Sequence, residues 1–299
     1  MEKISHSLWN GKTGGQPWML KTLISWFRWM DIRISYFLMG WVIPFYMIFS
    51  HQGYISMYHF FRQRLHYSIL KSFWYVYLNH FKFGQIILDR FAVYAGKSFH
   101  FDIEGYEHFT DLASEEGGFI QLSSHVGNYE LAGYSLVADK KRFNALVFSD
   151  EKETVMSNRN RILSKNNIYM VKVKDDLSHV FILNAALNKG EIVSMPGDRI
   201  FGSQKYAECP FFGTKTKFPL GPFAMAVLRD VPVLAVFVMK ESAKRYKIFV
   251  QRLKLDDSEK LHSQEMRMDN LANAFAFQLE TIVRRYPTQW FNYYDFWKQ

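Results

Sequence analysis

A histidine and a glutamate stand five positions apart in the segment 124–130, SHVGNYE, and this pair could perform acid–base chemistry. Imidazole is the side chain best suited to remove a proton near neutral pH, and a carboxylate behind the ring fixes its tautomer and stabilises the imidazolium. A hydroxyl is a poor nucleophile until a base takes its proton. His125 and Glu130 therefore predict a general-base dyad that activates a hydroxyl supplied by the substrate.

The surroundings of the pair make it more specific than its spacing does. Chance alone would produce such a pair in a chain with ten histidines and 28 acidic residues. However, residues 117–122 before it are typical of a turn and a buried strand, and residues 131–137 after it are typical of a helix. Ligands of α/β proteins bind at such strand ends. Gly127 would let a substrate approach the backbone closely, and Asn128 is a candidate helix cap and substrate ligand.

Strand and helix patterns alternate from residue 118 onward. This alternation predicts an α/β sandwich with a largely parallel sheet. Residues 55–95 have apolar and aromatic positions at spacings of three and four, which predicts a helical region that ends at Gly96. We therefore expect a helical region, 1–96, followed by an α/β domain, 97–299. Strands or apolar runs are predicted at 144–148, 168–173, 192–195, 231–239 and 246–253, and helices at 151–165 and 177–187.

A second candidate site, MPGDR at 195–199, follows the predicted strand 192–195 and should lie at the same sheet edge as His125. Arg199 can bind phosphate or carboxylate through two hydrogen bonds. Gly197 would let backbone N–H groups reach the same anion, and Asp198 would orient Arg199 or hydrogen-bond a sugar or amide. A plain Gly-Asp turn is the alternative interpretation.

Four blocks resemble, in the same order, those of the lysophospholipid acyltransferase superfamily. The first is most similar to the His-x-Gly-Asn-Trp-Glu form of the bacterial lipid A biosynthesis (lauroyl/myristoyl) acyltransferases, with Tyr129 where tryptophan is usual. The resemblance covers most of the chain and implies a glycerolipid-acyltransferase-like fold. The four blocks are 124–130, 195–199, 210–213 leading to 221–223, and 286–290.

The resemblance implies an O-acyltransferase in which His125 deprotonates an acceptor hydroxyl that attacks an acyl thioester, while Glu130 orients His125. An arginine of the family's second block, here Arg159 or Arg161, would contact an acidic substrate group, unless these residues form only a solvated basic face. The implied donor is an acyl carrier protein. The implied acceptor is lipid A, its precursor, or another lipid or glycolipid hydroxyl. Neither a metal nor an organic cofactor is required.

The block at 196–199 departs from the family pattern, and it supports a second class of acceptor as an alternative. The closest members usually have Pro-Asp-Gln or Pro-Asp-His where this chain has Pro-Gly-Asp-Arg at 196–199. That sequence is nearer to the Glu-Gly-Thr-Arg phosphate block of glycerophospholipid acyltransferases. A glycerophospholipid-type acceptor is therefore the alternative within the same chemistry.

Composition favours an anionic membrane surface or an acidic protein as partner. The net charge is +9, the isoelectric point is near 9.4, and 18% of the residues are aromatic. Nucleic acid is disfavoured because no RNA-binding, zinc-finger or recognition-helix pattern is present. The single cysteine, Cys209, excludes an intrachain disulfide and a cysteine-based metal cluster.

The N-terminal region predicts membrane attachment. Residues 34–61 contain no Lys, Arg, Asp or Glu, and their densest apolar part, 34–49, is 16 residues long with Pro44 inside. A spanning helix needs about 20 apolar residues. A single span, a half-inserted kinked helix and a buried aromatic core helix are all open. We favour attachment to the cytoplasmic face of the bacterial inner membrane, and we find no cleavable signal peptide.

The sequence is also consistent with two other functions. A non-catalytic lipid-binding protein of the membrane surface would keep this fold, and an ester or thioester hydrolase would replace the acceptor with water. Residues 200–218 are expected to form a loop over the site. Residues 286–297, with seven aromatic side chains, are expected to pack on the domain or touch the membrane.

Overall fold

The fold is an α/β sandwich in which a seven-stranded sheet is packed between helices. The computed structural model describes residues 17–49, 51–138, 140–147, 167–174, 176–200, 205–253 and 263–298. The predicted helix 151–165, which carries Arg159 and Arg161, lies outside these residues. The helices are α1 Pro17–Trp29, α2 Ile32–Phe49, α3 His51–His59, α4 Ile69–Tyr94, α5 Tyr106–Ser114, α6 Ala132–Ser135, α7 Ser178–Asn188, α8 Gly221–Arg229 and α9 Gln264–Arg285.

The large sheet has the strand order β1-β9-β8-β2-β5-β3-β4. Every neighbouring pair is parallel except β8 and β9, which are antiparallel. The predicted α/β class and largely parallel sheet are therefore confirmed. The strands are β1 His100–Glu104, β2 Phe119–Ser123, β3 Phe143–Val147, β4 Ile168–Lys172, β5 Ile192–Pro196, β6 Tyr206–Phe211, β7 Thr214–Pro219, β8 Val233–Lys240 and β9 Arg245–Leu253.

The central strands are buried on both faces. All eight residues of β8 are buried, as expected for a strand covered by helices on both sides. One apolar cluster includes residues of α4, α8, α9 and the sheet, and a second lies on the opposite face beneath α5. Met57 of α3 and the following Phe60 and Phe61 belong to the first cluster, whereas the buried apolar residues of α1 and α2 form a third cluster with the end of α4.

The helical region predicted at 55–95 is divided into two helices. A short π-helix, Phe60–Arg64, follows α3, and α4 begins only after Ser68, whose side chain accepts a hydrogen bond from the backbone of Lys71. The cap stabilises a new helix start, which apolar spacing does not reveal. Helix α4 ends at Tyr94, and Gly96 has φ +90°, consistent with the predicted helix stop.

The expected loop 200–218 contains an antiparallel hairpin in its described part. Strands β6 and β7 pair with Phe211 opposite Thr214, so only Phe212 and Gly213 form the turn. Both turn residues have positive φ, 51° and 74°, which suits the twist of a tight hairpin. The side chains along β6 alternate between exposed and buried.

Apolar side chains are exposed along the outer surface of the N-terminal helices. On α2 they recur at helical spacing: Ile34, Phe37, Leu38, Trp41, Val42, Phe45 and Ile48. Within the described residues, no single helix has the length and apolarity to cross a bilayer. Residues Ile32–Ile48 and Gly53–Arg64 reach that length and apolarity only as a pair, and they are bent by 95° relative to each other.

Candidate active site

His125 lies in a tight loop that follows β2. Gly127 adopts φ +58°, and a Cβ built there would lie 2.0 Å from the carbonyl oxygen of Val238. Only glycine fits this conformation and this close approach. The backbone of Gly127 donates to Gln289 O at 2.8 Å, and that of Asn128 donates to Val238 O at 2.7 Å. The loop is therefore fixed between β8 and the C-terminal segment.

The C-terminal segment, residues 287–294, is the second support of this loop. Val126 pairs with Trp290 in an antiparallel bridge, and the backbone of Phe291 donates to His125 O at 3.0 Å. The side chain of Gln289 makes two hydrogen bonds, 2.8 and 2.9 Å, with the backbone of Lys240 at the end of β8. The aromatic terminus thus packs on the domain, one of the two predicted placements.

Asp198 holds His125 at two points. Its Oδ1 lies 2.9 Å from Nδ1 of the ring, and its Oδ2 accepts the backbone N–H of His125 at 2.7 Å. The two residues meet because β2 and β5 are parallel neighbours that end together, with Ser123 opposite Pro196. This contact differs from the expected one, in which Asp198 orients Arg199 or binds a sugar or amide.

The electrostatics keep the ring neutral and the carboxylate ionised. Burial, assisted by the positive charge of Arg199, lowers the pKa of His125, although Asp198 opposes this shift. Burial would raise the pKa of Asp198, but the His125 ring, its hydrogen bonds and Arg199 outweigh burial and lower it. Because Nδ1 faces an ionised carboxylate, it carries the ring proton, and Nε2 is the basic atom. The His125 side chain keeps 17% of its surface exposed.

Glu130 lies against helix α4. It belongs to a 3-10 turn, Tyr129–Leu131, and is buried. One carboxylate oxygen lies 2.9 Å from Nε of Arg90, and the other accepts a hydrogen bond from the Tyr94 hydroxyl at 2.8 Å. The sequence predicted Glu130 behind the His125 ring, whereas the structure places Asp198 at Nδ1. The irregular turn between the two residues carries Glu130 towards α4.

Asn128 does not cap the following helix, as the sequence suggested. The 3-10 turn has no side-chain cap. Asn128 is 2% exposed, and its Nδ2 donates to the hydroxyl of Tyr246 at 3.3 Å. This side chain therefore contacts the interior of the protein.

Gly197 and Arg199 flank Asp198 and make different contacts. The backbone N–H of Gly197 donates to Ser123 O at 2.9 Å, so it is used within the sheet and not for the predicted anion. Nη2 of Arg199 donates to Phe291 O at 2.8 Å, whereas its buried Nε has no hydrogen-bond partner among the described residues. A buried unpaired donor on a guanidinium fits an anionic ligand.

The described residues contain no group of three or more His, Cys, Asp or Glu side chains arranged to hold a metal ion. The arrangement at His125 can perform proton transfer at Nε2, next to one partly unpaired arginine. The sequence missed the partners Arg90, Tyr94 and Gln289. Their only sequence signals were a basic and an aromatic residue late in α4 and the aromatic block at 286–290.

Comparisons with known proteins identify a family for most of the chain. The family model described as bacterial lipid A biosynthesis acyltransferase matches residues 93–299. Comparison with curated proteins finds no match. Among solved structures, the 1-acyl-sn-glycerophosphate (LPA) acyltransferase PlsC from Thermotoga maritima is similar with a TM-score of 0.41 and 15% sequence identity. The likeness covers 84% of this chain and 97% of that chain.

Proposed function

Because the chain belongs to the bacterial lipid A biosynthesis acyltransferase family, we propose that it moves a fatty acyl chain from a thioester to a hydroxyl of a lipid A precursor or a related glycolipid. The family makes the chain an acyltransferase that acts on lipids. The donor, the acceptor and the roles of individual residues are the parts proposed here. The observation that carries the proposed residue roles is the buried contact of Asp198 with Nδ1 of His125.

In the proposed reaction, Nε2 of His125 takes the proton of the acceptor hydroxyl as its oxygen bonds to the thioester carbonyl carbon. The tetrahedral intermediate collapses, the carbon–sulfur bond breaks, and the leaving sulfur takes the proton from the imidazolium. Asp198, rather than the expected Glu130, stabilises the imidazolium from the Nδ1 side. We assign Glu130 the task of holding the loop against Arg90.

Arg199 is proposed to bind a phosphate of the acceptor or of the carrier-linked donor. Its unpaired Nε supports this role, because a guanidinium recognises phosphate through paired N–H groups. An acyl carrier protein is the proposed donor, and its acidic surface would suit a chain of net charge +9. Arg159 or Arg161 remains the proposed second contact to an acidic group.

Membrane attachment is proposed through the exposed apolar stripe of α2 and the exposed tryptophans of α1. Trp41 is 69% exposed and Phe37 is 68% exposed. Patches of this kind mark membrane or protein contact sites, and an amphipathic helix lies in the interface with its apolar side in lipid. We propose the cytoplasmic face of the bacterial inner membrane as the location.

A glycerophospholipid acceptor is the second candidate. The order Gly197-Asp198-Arg199 favours it, because it is nearer to the phosphate block of glycerophospholipid acyltransferases. Both candidates use the same base and the same donor chemistry. They differ only in the lipid that gains the acyl group.

Lipid mass spectrometry of cells tests these proposals. Cells receive the wild-type chain, an empty vector, or His125→Ala. We expect one lipid class to gain an acyl mass only with the wild type, and its identity decides between lipid A precursor and glycerophospholipid. If wild type and His125→Ala give the same lipid profile, and both restore whatever is lost when the gene is deleted, the chain is a non-catalytic lipid-binding protein. An increase in free fatty acid alone would indicate a hydrolase.

A further inference from the structure

Four elements meet at one buried polar cluster below the active-site loop. The cluster consists of Tyr36 of α2, Asp89 of α4, Lys240 of β8 and Tyr246 of β9, each at most 5% exposed. The carboxylate of Asp89 accepts hydrogen bonds from both tyrosine hydroxyls and from Nζ of Lys240. Nζ of Lys240 also donates to the Tyr36 hydroxyl at 3.0 Å. Asp89 thus joins all four elements.

Such a cluster is a costly way to stabilise a core. Removing a carboxylate and an ammonium from water carries a large desolvation penalty, and apolar side chains of similar size often give equal or higher stability. A fully hydrogen-bonded polar network does, however, admit only one arrangement of its members. The cluster is therefore better suited to fixing the relative placement of α2, α4, β8 and β9 than to adding stability.

The cluster reaches the active-site loop through Tyr246. The Tyr246 hydroxyl donates to Asp89 and accepts from Nδ2 of Asn128 at 3.3 Å. Asn128 stands three positions after His125, and its backbone N–H donates to Val238, two residues before Lys240 on the same strand. Both the side chain and the backbone of Asn128 are thus held by elements that carry the cluster. Arg90, next to Asp89, holds Glu130 at the end of the same loop.

We propose that Tyr36, Asp89, Lys240 and Tyr246 position His125 through Asn128, so that the placement of the base depends on how α2 is seated. This inference deepens the proposed function and rests on it. Tyr36 and Asp89 precede the segment 93–299 that matches the family. They are positioning residues, because they act through Asn128 and do not touch the reacting atoms.

Tyr246→Phe is the first test, because it removes the bridging hydroxyl and keeps the ring. A small displacement of a catalytic base lowers the reaction rate strongly. We therefore expect kcat to fall about tenfold while KM for donor and acceptor stays within about twofold. We expect a similar fall in kcat for Asn128→Ala. The double variant should be no slower than the slower single variant, because both break one connection. Effects on kcat that multiply would overturn the connection.

Tyr36→Phe tests the dependence on α2. It removes a hydroxyl that bonds to Asp89 and Lys240, in a helix that precedes the family segment. We expect kcat to fall about fivefold and non-additively with Tyr246→Phe. The matched control is Tyr77→Phe, which removes another hydroxyl bond between α4 and α2, to Gly40 O at 3.3 Å, outside the cluster. Unchanged kcat in Tyr36→Phe, or an equal fall in Tyr77→Phe, would contradict the proposal.

Hydrogen–deuterium exchange of peptides covering residues 124–130 separates this inference from the proposed function, because it needs no turnover. We expect faster exchange at 124–130 in Tyr246→Phe and Tyr36→Phe and unchanged exchange in Tyr77→Phe, with all three proteins folded by circular dichroism. If the wild type transfers no acyl group, the proposed function fails while this result can still hold. If exchange at 124–130 is the same in all variants, the positioning role is wrong.

Discussion

At the scale of residues, the site depends on how His125 is held. Asp198 bonds to both the ring nitrogen and the backbone N–H of this one residue, so ring orientation and loop position are set by the same carboxylate. Asp198 is itself 1% exposed, so the contact is buried. Nε2 is therefore left as the basic atom of a ring that has one orientation. Glu130 is bonded to Arg90 and Tyr94 instead.

Asp198→Asn and Glu130→Gln should have different effects. The first removes the charge that stabilises the imidazolium and favours the wrong tautomer, so kcat should fall about 10³- to 10⁴-fold. The second leaves Arg90 without its ionised partner, so the protein should lose about 2 kcal/mol of stability and no more than about tenfold in kcat. Steady-state kinetics and thermal melting measure both. A larger loss of kcat in Glu130→Gln than in Asp198→Asn would restore Glu130 as the partner of the base.

The pH dependence of kcat/KM reports the ionisation of His125. As the proposed base, His125 would act only when neutral, and burial and Arg199 lower its pKa. The acidic limb of kcat/KM should therefore lie below the ordinary histidine value of about 6.5. Arg199→Met removes one of the causes, so the limb should move to higher pH. A limb that stays in place in Arg199→Met would show that the arginine charge does not act on the ring.

The sequence predicted which segments meet at the sheet edge better than it predicted the contacts of individual side chains. His125 and the block at 195–199 were expected at one sheet edge, because both follow parallel strands, and Asp198 does meet His125 there. Glu130 could not be placed, because it belongs to a short 3-10 turn that packs against α4. Spacing along the chain carries no information about that turn.

At the scale of elements, two segments distant in sequence fix the active-site loop. Strand β8 accepts the backbone of Asn128, and the C-terminal segment accepts that of Gly127. The 3-10 turn Pro287–Gln289 therefore serves the site without supplying a reacting group. The aromatic residues of 286–297 predicted packing on the domain or contact with the membrane, but the partner of this segment was not evident, because an isolated bridge such as Val126–Trp290 has no periodicity to detect.

Gly127→Ala should be far more harmful than Gly213→Ala. Both glycines have positive φ, 58° and 74°, but a Cβ at position 127 would lie 2.0 Å from a backbone oxygen, whereas nothing lies within 4 Å at position 213. Gly213→Ala should lower the free energy of unfolding by about 1 kcal/mol, because only the backbone conformation is strained. Gly127→Ala should lower the free energy of unfolding by about 3 kcal/mol or more, because the loop must also move. The rate of acyl transfer should fall as well. Denaturant unfolding and activity are the measurements, and equal losses would contradict the close approach.

The spacing of apolar residues does not predict where every helix and strand begins and ends. A side-chain cap at Ser68 marks the start of α4, and two positive φ angles at Phe212 and Gly213 mark the turn of the hairpin β6–β7. Neither depends on apolar spacing. The buried strands do depend on it, and those predicted at 144–148, 168–173, 192–195, 231–239 and 246–253 are present, whereas the long helix α9 was not predicted.

At the scale of the whole molecule, the N-terminal helical region exposes apolar surface on one side and packs on the interior of the protein on the other. Phe60 and Phe61 belong to the main apolar cluster, and Tyr36 of α2 contacts Asp89 and Lys240. The outer side of α2 carries the exposed stripe, while its inner side is bonded to the cluster. A lipid surface on one side of this helix would thus be one helix diameter, about 10 Å, from the polar cluster that supports the loop.

The double variant Phe37→Ser, Trp41→Ser tests whether α2 meets a membrane. Each aromatic side chain buried in lipid contributes about 1.5–3 kcal/mol, so binding to vesicles that contain anionic phospholipid should fall more than about tenfold. Phe181→Ser is the matched control, because Phe181 is 76% exposed but lies on α7, away from the stripe. Vesicle co-sedimentation gives the measurement, with thermal melting to show that both proteins fold. Since Phe37 and Trp41 are largely exposed, little core packing is lost, and reduced binding can be attributed to the surface. If the double variant and Phe181→Ser sediment like the wild type, the stripe is not the membrane contact, and α2 then serves only the interior cluster through Tyr36.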